Sequence, residues 1–260
     1  MRTLSGAALC LFLAAAHAHP DGLTLNLIGD GALLLGGAGS AALTEFLLLS
    51  ESPALPGTGD ISAVNPLDRL AVFPYSEGLD ITSSLLQYSC ASVPVLFAFF
   101  LPIQSMAEIG VVYAEALSWA FTLKNLLKYL IPRDRPYVYS GLMPAPGSPS
   151  ADWNRSFPSG HAAIAFTAAT CSLFLFDTYF PSSPYLLAFG IANYTAAVLT
   201  AAFRVGSGMH FMTDVAAGAI IGIACGYLIP LIHKAGGQKQ ENGGVSLSVT
   251  ADGFSVTLEL

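Results

Sequence analysis

Apolar runs of membrane-spanning length recur along this chain, and they constrain its fold more than any other feature. A helix needs about 20 mostly apolar residues to cross a bilayer. Five runs meet that requirement: Ser83–Leu101, Ala107–Ile131, His161–Phe180, Tyr185–Phe203 and Met212–Ile232. Pro102, Pro132, Pro158, Pro181 and Pro184 fall at their ends, where breakers belong. A further segment, Leu23–Leu49, is apolar but holds Asp30, Glu45 and five glycines between Gly29 and Gly39. It is compatible with spanning, re-entry or an interfacial position. Only 10% of the residues are charged, against about 25% in soluble domains. The expectation is one all-α, multi-spanning membrane helical bundle of about six helices.

The two ends differ from this bundle. Residues 1–18 carry Arg2, a short apolar core and the small-residue end Ala16-His17-Ala18. They read as a signal peptide with cleavage before His19, an uncleaved anchor being the other reading. Residues 19–64 form an N-terminal apolar segment and loop, residues 65–233 the bundle, and residues 234–260 a tail. The stretch Glu51–Asp80, rich in proline, glycine and acids, suits a loop or surface helix at headgroup level. In the tail, Val245, Leu247 and Val249 alternate before Asp252-Gly253, and Phe254, Val256 and Leu258 alternate after it. That is a β-hairpin pattern, marginal alone and so equally a disordered tail. The net charge of −7 argues against nucleic acid as a partner. Cys10 lies in the leader, while Cys90, Cys171 and Cys225 sit in apolar runs and read as buried small hydrophobes.

Basic residues are scarce and clustered. Between Leu70 and His233 there are six: Lys124, Lys128, Arg133, Arg135, Arg155 and Arg204. All lie near the ends of apolar segments or in the Pro132–Phe157 loop. Ordinary interfacial anchoring would explain one or two of them. Lys128 sits one turn before Pro132, and Arg135-Pro136 follows seven residues later, so their cationic heads can converge beyond the membrane. In FPSGHAAIAF, Ser159 is a good N-cap, Gly160 admits a ligand to the backbone, and the following helix presents free N–H groups. These make an anion site, with His161 placed to give a proton to what the anion leaves behind. In FRVGSGMHFMTD, Arg204 ends one apolar segment and His210 opens the next. Asp214 follows His210 by four residues, a helical spacing that would let its carboxylate hold one ring nitrogen.

Lys128-x6-Arg135-Pro136, Pro158-Ser159-Gly160-His161 and Arg204-x5-His210-x3-Asp214 together resemble the three signature motifs of the type 2 phosphatidic acid phosphatase and vanadium haloperoxidase superfamily. The resemblance covers roughly residues 65 to 232. Phe203 departs from it, since the family often has Ser before the third-motif Arg. The resemblance implies that Lys128, Arg135 and Arg204 hold phosphate oxygens, helped by Ser159 and the Gly160 backbone. It implies His210 as the nucleophile that forms a phosphohistidine, Asp214 as its orienting acid, and His161 as the acid that protonates the leaving oxygen and then activates water. Three cations and a helix N-terminus can stabilise phosphoryl transfer without a metal. No carboxylate cluster or Cys/His set with metal-ligand spacing is legible, so no cofactor or metal is expected.

The substrate expected from this resemblance is a lipid phosphate or pyrophosphate, such as phosphatidic acid, a polyprenyl diphosphate, phosphatidylglycerophosphate or lipid A. Transfer to a lipid or sugar acceptor, or non-catalytic binding or transport of a lipid phosphate, stay open as alternatives. The haloperoxidase branch fits a membrane bundle poorly. Lys234 and Lys239 after the last helix favour a cytoplasmic C-terminus. His210 at the other end of that helix then faces outward, on the periplasmic side of a bacterial inner membrane; a cleaved signal with Leu23–Leu49 spanning would instead, by counting crossings, place the Pro132–Phe157 loop in the cytoplasm. The partners expected are membrane lipids and the substrate; the sequence leaves the oligomeric state unknown.

Overall fold

The computed structural model describes residues 22–50, 59–146, 148, 151–236, 245–250 and 253–258. The expected signal peptide, its cleavage point and Lys239 lie outside the described residues. Among the described residues eight α-helices follow in chain order: α1 (Leu27–Ser50), α2 (Pro66–Arg69), α3 (Glu77–Ser92), α4 (Ile103–Leu130), α5 (Pro136–Ser140), α6 (Gly160–Tyr179), α7 (Leu186–Gly206) and α8 (Met212–Gly236). A tight 3-10 segment, Val93–Phe99, extends α3 where Pro94 lacks the N–H an α-helix would use. In the tail, β1 (Val245–Thr250) and β2 (Gly253–Leu258) pair antiparallel, with Val245 opposite Leu258.

The ambiguous Leu23–Leu49 segment is a helix, and local chemistry starts it. The Asn26 side chain accepts from the Ile28 and Gly29 amides, and the Asp30 carboxylate accepts from the Asn26 amide at 2.6 Å. Each end of this first turn thereby satisfies the other's free donors. Polar contacts then fasten α1 to α4. Trp119 Nε1 donates to the Leu33 carbonyl, Thr122 Oγ1 to the Gly37 carbonyl, and Asn125 Nδ2 to Glu45. Such bonds hold helices together where apolar contact alone gives little drive.

α6 is the central helix, buried along most of its length. Its Ala, Thr and Ser residues are small enough for neighbours to approach on every side. α8 comes nearest, through Gly218, Gly222 and Gly226 at four-residue spacing. A Cβ at Gly218 would run into the Ser159 carbonyl oxygen, one at Gly222 into that of Ala163, and one at Gly226 into that of Thr167. This is backbone-to-backbone packing of the small-xxx-small kind, in a stretch (GAIIGIACG) that the sequence analysis left unread.

Among the described residues, five helical segments are long and apolar enough to cross a membrane: α1, α3 with its 3-10 extension, α6, α7 and α8. Large apolar side chains such as Leu35, Leu187 and Ile220 stand outward on them, 69–75% exposed, as lipid-facing residues must. The chain is a multi-pass membrane protein. α4, expected to span, is the sixth long helix but falls short on composition because of Glu108, Glu115, Lys124 and Lys128. Those charges turn inward. Glu108 accepts from the Tyr179 hydroxyl at 2.6 Å, and Glu115 is fully buried beside His233.

Away from the charged end described below, Phe97, Phe176, Phe180 and Phe189 form an aromatic cluster, with the Phe176 and Phe189 rings stacked at 4.4 Å. Cys90, Cys171 and Cys225 are free and buried.

The α6–α8 contact predicts a contrast between two alanine substitutions. Gly222→Ala should destabilise the detergent-solubilised protein by about 1–3 kcal/mol, because neither backbone can yield without shifting. Gly110→Ala on α4 meets open space and should be neutral or stabilising by up to about 1 kcal/mol through helix propensity. Thermal unfolding of the two variants checks this, and equal effects would disprove the close-packing account.

Candidate active site

The motif residues converge at one end of the bundle, each on a different element. Lys128 lies in the last turn of α4, and Arg135 is the residue on which α5 begins. Ser159 caps α6, with its hydroxyl accepting from the Ala162 amide at 3.4 Å. Gly160 and His161 open that helix, and Arg204 sits in the last turn of α7. His210 stands just before α8. The chain reaches it through Gly208, whose φ of 71° suits glycine alone and whose Cα faces the Phe73 and Pro74 carbonyls with no room for a Cβ.

Lys128, Arg135, Gly160, His161, Arg204 and His210 all line one cavity of about 600 Å³. Ser159 and Asp214 do not line it; both are fully buried behind its wall. Ile81, Leu85, Tyr88, Phe121 and Ile164 make its apolar side.

The cations are already partnered. Asp152 grips the Arg135 guanidinium with both carboxylate oxygens at 2.6 Å. Arg204 pairs with Asp80 and donates to the Ser83 hydroxyl at 3.2 Å. That hydroxyl comes from another helix, α3. The Arg204 Nε is buried and without a partner among the described residues. Lys128 donates to the Arg155 carbonyl. His161 Nε2 lies 3.0 Å from Ser84 Oγ, which in turn donates to the Asp80 carbonyl. Asp80, Ser83, Ser84 and Asp152 carry no motif, and sequence reasoning missed them. Lys124, also on the cavity wall, was counted among the basic residues without a role.

One expectation needs correction. The four-residue spacing implied that Asp214 holds a His210 ring nitrogen along a shared helix. His210 lies outside α8, and the nearest Asp214 oxygen is 3.8 Å from Nδ1, beyond hydrogen-bonding distance. The Ser156 carbonyl takes that place, accepting from His210 Nδ1 at 2.7 Å. This leaves Nε2 unprotonated; it accepts a long hydrogen bond from Arg135 Nη1 at 3.4 Å, and His210 lines the cavity. Burial, followed by the charges of Arg135 and Arg204, pushes the imidazole well below its ordinary value of 6.5. The ring is neutral near pH 7, with a lone pair on Nε2.

Away from the cavity, the fold joins three groups that sequence spacing could not connect. Asp30, Glu115 and His233 bring one ligand-type atom each to within 4.8 Å of one another. His233 Nε2 is 2.7 Å from Glu115, and its Nδ1 is 3.2 Å from the Thr24 carbonyl. Both ring nitrogens are thereby engaged within the protein, and the cluster ties α1, α4 and α8 together.

Against known proteins, the family model described as PAP2 superfamily matches residues 109–237. A lipid A 1-phosphatase of Porphyromonas gingivalis is 41% identical over 73 residues, which are 28% of this chain and 15% of that protein's length. Among solved structures, Aquifex aeolicus LpxE is similar at 27% identity and a TM-score of 0.42, over 64% of this chain and 93% of that one. A transmembrane PAP2-type phosphatidylglycerolphosphate phosphatase from Bacillus subtilis is similar at 19% identity and a TM-score of 0.44, over 91% of this chain and 96% of that one. The matched region contains all three motifs, and residues 109–237 form a PAP2-superfamily region.

Proposed function

We propose that the protein is a phosphatase that hydrolyses a phosphate or pyrophosphate group on a membrane lipid, through a phosphohistidine at His210. The observation that carries this is the placement of a neutral imidazole. Its Nδ1 is tied back to the Ser156 carbonyl, and its Nε2 opens on a cavity walled by Lys128, Arg135, Arg204 and the start of α6. Lipid phosphates suit the apolar side of that cavity, at the end of a membrane bundle. The match to a protein named lipid A 1-phosphatase supports the same substrate class. The site is assigned to the periplasmic face, following the basic residues after α8.

In the first step the His210 Nε2 lone pair attacks phosphorus, and the bond from phosphorus to the lipid oxygen breaks. That oxygen takes a proton from His161. In the second step His161 takes a proton from water, the oxygen attacks phosphorus, and the phosphorus–nitrogen bond breaks to restore His210. Lys128, Arg135, Arg204 and the Gly160 amide neutralise the phosphoryl oxygens throughout, Ser159 holding the helix start in place. Asp152 and Asp80 occupy two of these cations beforehand, so an entering phosphate must share or displace carboxylates. Its charge and three equatorial oxygens give it the advantage over a single carboxylate.

Two outcomes test the proposal. Purified protein should release phosphate from phosphatidic acid, a polyprenyl diphosphate or lipid A in the presence of EDTA. His210→Ala should lower turnover at least about a thousandfold while lipid binding persists. Turnover near that of the wild type in His210→Ala would remove the assigned nucleophile.

Arg135→Ala should raise KM and lower kcat together, because its contact exists in both ground and transition states. Steady-state kinetics on one lipid phosphate separates this from a kcat-only loss.

The depressed His210 also sets a pH dependence. Unfolded, this imidazole binds a proton below 6.5; folded, it stays neutral until a much lower pH. The unfolded state therefore binds more protons in that window, and stability falls as pH drops below 6.5. Thermal unfolding between pH 7 and 5 should show a shallower decline in His210→Gln than in the wild type.

A further inference from the structure

Asp214 is fully buried yet does not bond to His210, so its place in the site must be explained by what it does touch. Its Oδ2 accepts from the Ser156 hydroxyl at 2.5 Å and from the Phe211 amide at 2.8 Å. Its Oδ1 accepts from Arg133 Nη1 at 2.5 Å. Its backbone carbonyl accepts from the Ser159 amide at 3.0 Å. Ser156 is the common member. Its amide donates to the Arg133 carbonyl at 2.9 Å, its hydroxyl to Asp214, and its own carbonyl receives the His210 Nδ1 proton. Arg133, Ser156 and Asp214 thus close a ring of bonds behind His210.

Arg133 is held in turn. Its Nη2 donates to Asp68 Oδ2 at 2.7 Å, its Nη1 also donates to Thr213 Oγ1 at 2.8 Å, and its guanidinium lies over the Phe211 ring at 4.3 Å. Asp68, on the four-residue helix α2, is fully buried. It accepts from the Thr213 amide and hydroxyl and from Asn65 Nδ2 as well as from Arg133. Those bonds overcome its burial and keep its carboxyl below the usual range. Neither Arg133 nor Asp68 lines the cavity, so neither is placed to touch a phosphate.

We infer that Arg133, braced by Asp68, is a positioning residue that fixes the attacking nitrogen of His210 through Asp214 and Ser156. The inference rests on the proposed reaction at His210. With its charge partner gone, Asp214 would be a buried carboxylate left with hydroxyl and amide donors alone. The Ser156 carbonyl, and the imidazole it orients, would lose their fixed place. Attack on phosphorus is sensitive to such shifts, while phosphate affinity depends on other residues.

The test uses the full chain in detergent with the variants Arg133→Gln, Arg133→Lys, Asp68→Asn and the double variant Asp68→Asn/Arg133→Gln. With a lipid phosphate, Arg133→Gln should lower kcat about a hundredfold with KM within about threefold of the wild type. Arg133→Lys should recover part of that loss, and the double variant should be no slower than Arg133→Gln, since both act on one element. An unchanged kcat, or a loss confined to KM, overturns the inference.

A second readout needs no turnover. In protein with nitrogen-15-labelled histidine, the His210 Nδ1–H signal, assigned by its absence in His210→Gln, should be present in the wild type and Arg133→Lys and lost or broadened in Arg133→Gln. A signal unchanged in Arg133→Gln overturns the inference even if the wild type hydrolyses no lipid phosphate, a result that by itself would count against the reaction instead. If gel filtration shows Arg133→Gln unfolded, Asp68→Asn carries the same test, with a weakened signal expected and an unchanged one overturning it.

Discussion

Charge at the end of an apolar bundle is tolerated only where each ion finds a counter-ion, because an isolated buried charge costs many kcal/mol. Arg204 is 2% exposed and Arg135 4%, and the arrangement of the site follows from keeping both ionised without a ligand. Asp80 from the first turn of α3 answers Arg204, and Asp152 from the loop before α6 answers Arg135. Arg133 is answered twice, by Asp68 and Asp214. Helices far apart in sequence are therefore locked at one end by electrostatics. Apolar packing and glycine contacts hold the rest of their length.

The same pairing separates two tasks. The carboxylates that face the cavity, Asp80 and Asp152, hold the cations that the proposed function gives to phosphate, so on that proposal a ligand has to compete with them. Asp68 and Asp214 lie behind the wall, where no ligand reaches, and their bonds brace backbone and side chains in place. His210 lies between the two sets. Its cavity side looks at cations, and its far side is bonded to the carbonyl of a residue fixed by the second set.

Much of this was legible in the residues. Apolar runs bounded by proline located the long helices to within about four positions, except that α3 starts at Glu77, six residues before the expected Ser83, and tightens at Pro94, and that α1 combines glycines and acids. The three motifs named Lys128, Arg135, Gly160, His161, Arg204 and His210, which do meet around one cavity. Ser159 and Asp214 belong behind it. The partners were not legible, for a physical reason. Asp68, Asp80, Asp152 and Ser156 sit in short helices, first turns and loops whose composition is ordinary, and each gains meaning only when tertiary packing places it beside a cation or an imidazole. The direct hydrogen bond that spacing suggested between Asp214 and His210 is not made, because the helix begins at Met212, two residues after His210. The Gly218, Gly222 and Gly226 stripe lay in plain view, since its four-residue repeat is a helical signal.

That stripe has a consequence beyond packing. Gly218 lies against the carbonyl of Ser159, the residue on which α6 begins. His161 enters the cavity from the first turn of α6, and His210 from the residues just ahead of α8. The separation of the two imidazoles is thus gauged by main-chain contact between two helices, a spacer with no side chain to flex or rotate. Main-chain contact of this kind leaves the interval no side-chain rotamer through which to change.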